Sequence, residues 1–217
     1  MAQGRDWFER FLTIGIEFSR RVAHRNKEFP RQPEVLIEIV QEFLSKDNRD
    51  TPVHFKIIFH PRNYDANDVR GKIEIYHDRA EIFYDFKKQS YCWRRFTVVK
   101  ELCHLLYWPL GTGGMISTPE EVKQLISNLM VGLENVDFYL DEVASTEQVA
   151  VLMALEILLP HSERTNVDVL IANGKSLREI AEKYRIPLHM LQFYLTPSYS
   201  KLIEHAYGVY RFALSLQ

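Results

Sequence analysis

The chain has 217 residues, of which 46% are apolar and 26% charged, with a formal net charge of −2. That length suits one large domain or a domain with a small appendage, and near-neutral charge gives no global attraction to nucleic acid or an anionic membrane. No apolar run approaches the roughly 18 residues of a membrane span. Arg5, Asp6, Glu9, Arg10 and Glu17 interrupt the N-terminal apolar residues, so no signal peptide is expected.

Taken in chain order, Trp7, Phe8, Phe11, Leu12, Ile14, Phe18 and Val22 recur near helical spacing and predict a helix over about 6–27. Pro33 suits the first position of a second helix, with Leu36, Ile39, Val40, Phe43 and Leu44 as its buried stripe. Val53, Phe55, Ile57 and Phe59 alternate with His54, Lys56 and Ile58, which predicts a strand. An antiparallel hairpin follows, Gly71–Tyr76 with Ala80–Phe86, turning at His77-Asp78-Arg79. A helix over 91–108 comes next. On it Cys92 and Cys103 would stand about 16 Å apart, too far for a disulfide, so both are read as free thiols in a reducing, cytoplasmic setting.

Pro109 to Ser117 reads as a turn region, and Thr118-Pro119-Glu120-Glu121 as a helix start with Thr cap and capping-box Glu. A further helix is expected over about 145–159, stopped by Pro160. Two short helices around a tight turn are expected over 176–191, and a last helix over about 199–216.

The chemistry centres on Lys100-Glu101-Leu102-Cys103-His104. In H-E-x-x-H, two imidazoles one helical turn apart hold Zn²⁺, and the Glu acts as general base on the metal-bound water. Here Glu101 and His104 keep their places, while Lys100 stands at the first ligand position. Two fragments together, Arg95-Phe96-Thr97 running on to His104-Leu105-Leu106, and Glu147-Gln148-Val149-Ala150 running on to Leu158-Leu159-Pro160, resemble the ImmA/IrrE family of zincin-like metallopeptidases. The resemblance spans about 71–160.

That resemblance implies Glu101 as the catalytic base, His104 and Glu147 as metal ligands, and Lys100 as a substituted ligand position. It implies an α+β fold: a zincin-like helical core with a small antiparallel sheet over 1–165, and a helical, helix-turn-helix-like C-terminal extension over 166–217. The stretch between His104 and Glu147 is longer than the family's usual spacing, so 109–145 reads as an insertion near the cleft. The family's enzymes cut repressor-like partner proteins in mobile-element or stress regulation.

An ammonium has no lone pair, and lowering a lysine from about 10.4 to about 7 takes about 4.6 kcal/mol at 1.36 kcal/mol per unit. The expectation is therefore no bound zinc, with the Lys100 ammonium standing among Glu101, His104 and Glu147 where the metal would be. Function then reads as a degenerate peptidase, a regulator that binds a protein or peptide partner. The alternatives are an active zinc peptidase with an unusual ligand set, and a DNA-associated regulator using the C-terminal helices.

Blander readings stand beside these. Glu147 also suits a first-turn Glu favoured by the helix dipole, and Glu156 suits a buried pair. Cys103 and His104 are helical neighbours pointing about 100° apart, which disfavours a nucleophilic couple. Arg20, Arg21, Arg25, Lys27 and Arg31 read as a solvated basic face. The second helix of the C-terminal pair offers only His189 and Gln192 for base contacts, so packing explains it better than DNA.

Overall fold

The computed structural model describes residues 2–31, 33–47, 55–63, 71–87, 89–107 and 142–215. In chain order these form helices α1 (Ala2–Arg25) and α2 (Pro33–Asp47), then strands β1 (Lys56–Arg62), β2 (Gly71–Ile75) and β3 (Arg79–Asp85). Helices α3 (Tyr91–Tyr107), α4 (Glu142–Leu158), α5 (Arg164–Ala172), α6 (Leu177–Tyr184), α7 (Leu188–Tyr194) and α8 (Pro197–Ser215) follow. The class is α+β. The expected turn region after Trp108 and the helix starting at Thr118 lie outside the described residues.

Helix α4 is the centre. Val149 to Leu155 are all fully buried, and a helix apolar on every side belongs inside a protein rather than at its surface. Helices α1 and α3 pack against it. Gly15 allows α1 its close approach, since a Cβ there would sit 2.6 Å from Cγ of Met153. Helix α2 begins at Pro33, whose missing N–H and fixed φ suit a first helical position. Its Leu36, Ile39, Val40 and Leu44 are buried.

The three strands lie in the order β1-β3-β2. Strand β2 pairs antiparallel to β3, as the hairpin pattern predicts, but β1 runs parallel to β3, with Phe59 opposite Ile82. The sheet is therefore mixed, not antiparallel throughout. The chain reverses direction twice between β1 and β3, and β3 inserts between β1 and β2. Two reversals leave β1 and β3 pointing the same way. Ile73, Ala80 and Ile82 are buried.

The C-terminal helices close on this core. Ser176 caps α6 in a complete capping box with Glu179, and Arg185 ends it at φ 52°. Helix α7 buries Met190, Leu191, Phe193 and Tyr194, so the helix-turn-helix pattern places most of its second helix in the core. Tyr199, Ile203, Ala206 and Tyr210 form the buried stripe of α8, which packs on α1. No helix among the described residues is long and apolar enough to cross a membrane.

A second sequence reading is overturned at Arg31. Arg31, expected on a solvated basic face, is 2% exposed. Its guanidinium donates to the carbonyls of Ile157 (2.7 Å) and Ser19 (3.2 Å) and lies over the Phe29 ring. A run of basic residues along the chain says nothing about a residue that follows the helix end and turns inward.

Candidate functional site

Helix α3 is buried along most of its length, with Phe96, Val99, Leu102, Cys103, Leu105 and Leu106 in the core. Lys100, Glu101 and His104 are buried as well, and Lys100 is only 4% exposed. A lysine stem normally carries its charge to water; here it carries it inward. Glu147 meets it from α4, which starts at Glu142. Glu147 thus stands beyond the first turn, where the helix dipole has largely fallen off, and the dipole reading does not account for it.

The four residues that the sequence singles out are brought together. The Lys100 ammonium donates to Oε2 of Glu147 at 2.7 Å and lies 2.9 Å from Oε1 of Glu101. Nε2 of His104 faces Oε1 of Glu147 at 3.0 Å and Oε2 of Glu101 at 3.9 Å. Neither Glu101 oxygen accepts a well-aligned hydrogen bond among the described residues, so the ion pair with Lys100 carries its charge balance.

Burial opposes the charge on Lys100, but Glu101 and Glu147 outweigh it and hold the ammonium above the ordinary lysine value. Burial likewise pushes Glu147 up; Lys100, His104 and their hydrogen bonds outweigh it and hold the carboxyl well below the usual range. The two shifts agree on one state: ammonium and carboxylate, both charged.

Strand β2 supplies a feature the sequence reading missed. A Cβ at Gly71 would lie 2.3 Å from Cγ2 of Thr97 and 2.9 Å from Oε1 of Glu101. The absent side chain lets the strand press against the site helix and close over Glu101. Its only sequence signal is a glycine opening a strand one hairpin upstream of the motif.

The Arg-Phe-Thr part of the motif is structural. Arg95 donates to the carbonyls of Tyr184 and Arg185, both at 3.1 Å, and to that of Arg31. It ties α3 to the end of α6, and burial lowers its guanidinium to about 10. Cys103 is buried, and burial pushes its thiol well above the ordinary range, which disfavours the thiolate a nucleophile needs.

Glu156, lower on α4, belongs to a separate network. Its carboxylate accepts from Tyr207 (2.7 Å), Tyr199 (3.2 Å) and the backbone N–H of His161 (3.0 Å). Burial dominates and raises its carboxyl to about 7. It fastens α8 to the core.

A zinc site needs lone pairs at three protein corners, or four when it is purely structural. Among the described residues His104 and Glu147 supply two that converge, and the Glu101 carboxylate beside them is the base in this pattern rather than a ligand. At the third, Lys100 offers only N–H donors, held protonated by the two carboxylates. With the ammonium seated between the two carboxylates, the described residues as they stand do not fit zinc. No protein-family model and no curated protein matches this sequence.

Proposed function

We propose that the chain is a degenerate, zincin-like peptidase of ImmA/IrrE type, acting as a regulator that binds a repressor-like protein partner. The observation that carries this reading is the ammonium of Lys100 between Glu101 and Glu147, with His104 on the same carboxylate. Residues matching a general base and two ligands, gathered with a cation in one buried cluster, are read as the parts of a metallopeptidase centre with one part exchanged. A single fixed positive charge offsets half the charge of the two carboxylates that a divalent ion would offset in full. Catalysis is lost with the metal, because no Lewis acid remains to activate water. The partner class comes from the family resemblance.

The test is Lys100→His. That variant is expected to bind one zinc per chain by isothermal titration, with affinity lost in the Lys100→His/Glu147→Gln double variant. It is also expected to gain slow hydrolysis of an unfolded protein substrate that disappears with Glu101→Gln. A folded Lys100→His protein that takes up no zinc refutes the inherited-pocket reading.

A further inference from the structure

A second feature of α3 lies apart from the tetrad. Between α2, the sheet and the first half of α3 is a cleft of about 480 Å³, with Phe59, Tyr84, Phe86, Tyr91, Arg94 and Val98 among its nine lining residues. That volume falls within the roughly 300–1,000 Å³ of small-molecule sites. Four of the nine lining residues are aromatic, and Phe86 and Tyr91 are exposed.

Its charge is not balanced from within. The Arg94 guanidinium lies 4.8 Å from the Phe86 ring centre and 6.0 Å from that of Tyr91. Among the described residues it makes one long hydrogen bond, to the Phe86 carbonyl at 3.3 Å. Its Nε–H is buried and has no acceptor among the described residues. A buried donor without a partner costs about 1–3 kcal/mol, and Arg is the side chain best shaped to hold a carboxylate by two parallel bonds. Arg95 adds a second guanidinium, whose own bonds go to carbonyl oxygens. Against these two cations the lining offers one carboxylate, the exposed Glu34.

We propose that this cleft binds a small aromatic carboxylate, with its ring against the aromatic walls and its carboxylate on the guanidinium of Arg94. The inference does not rest on the peptidase reading, since it uses none of the four tetrad residues. Occupancy would place a ligand on the same helix that carries Lys100, Glu101 and His104.

The experiment titrates the full chain with naphthalene-2-carboxylate and with naphthalene-2-carboxamide, followed by calorimetry and by amide chemical shifts. The acid is expected to bind at least about tenfold more tightly than the amide, as a charge-assisted bond worth about 1.5 kcal/mol or more requires. Arg94→Gln is expected to erase that preference while leaving amide binding unchanged, and Glu34→Gln to tighten the acid. Val98→Trp fills the cleft and is expected to abolish binding of both. Equal affinity for acid and amide overturns the proposal, as does failure of the unaltered chain to bind the acid at millimolar concentration. That comparison decides the matter even if the Trp variant does not fold.

Discussion

Lys100→Met keeps most of the side-chain volume and removes only the charge. In the native protein that charge touches two buried carboxylates, at 2.7 and 2.9 Å. Removing one partner of a buried ion pair costs about 3–5 kcal/mol, because the remaining charge stays desolvated. A chain of this length loses about 2–4 °C of melting temperature per kcal/mol, so the variant should melt roughly 6–20 °C lower at pH 7. The pH dependence sharpens the test. Glu147 lies below its ordinary 4.5, so its contribution is complete above that value and fades as pH falls through the folded one. Lys100 lies above its ordinary 10.5, so its contribution is complete below that value and fades as pH rises through the folded one. The contributions of Lys100 and Glu147 should therefore both be complete between 4.5 and 10.5. In Lys100→Met, Glu147 loses the cation that holds its carboxyl low while burial still pushes it up, and the deficit should shrink between pH 7 and pH 5. Urea unfolding of native protein, Lys100→Met, Glu147→Gln and the double variant forms a cycle that isolates the coupling. A deficit under about 1 kcal/mol at pH 7, or one that does not change with pH, refutes the reasoning.

Gly71→Ala forces a Cβ to within 2.3 Å of Thr97 and 2.9 Å of Glu101. It should cost about 1–3 kcal/mol in the same unfolding assay, as overpacking does. Glu156 is raised from 4.5 to about 7, so the folded state holds its proton more tightly and stability should fall as pH rises through that interval. The loss amounts to roughly 3 kcal/mol, and Glu156→Gln should flatten the slope. Both thiols are free, Cys92 half-buried and Cys103 buried. A thiol reagent should therefore label Cys92 slowly in native protein and Cys103 only on unfolding.

Much of this fold was legible because its punctuation is local. Pro33 opens α2 and Pro160 follows the end of α4; both follow from what proline does to φ and to the backbone donor. The alternation that predicts β1 ends at Phe59, and Pro61 beyond it cannot donate to a ladder. The strand runs on to Arg62 because β1 is an edge and proline is tolerated there. Its parallel pairing was invisible, since alternation is the same in either direction. Helix α5 left no strong apolar stripe, because only Val167 on it is fully buried.

At the site, residue types were legible and their meeting was not. Spacing puts Glu101 and His104 near one face of a helix, whereas the approach of Glu147 to Lys100 across 47 positions is implied only by the family resemblance. The inward course of Arg31 and the pressure of Gly71 on Glu101 depend on tertiary packing that no local pattern encodes.

The central claim is that a protonated amine occupies the place of a metal ion. Elemental analysis of native protein, purified after growth in zinc-supplemented medium and dialysed without chelator, tests it most directly. The account predicts far less than one zinc per chain, unchanged by His104→Ala. One zinc per chain, lost in His104→Ala and in Glu147→Gln, contradicts it.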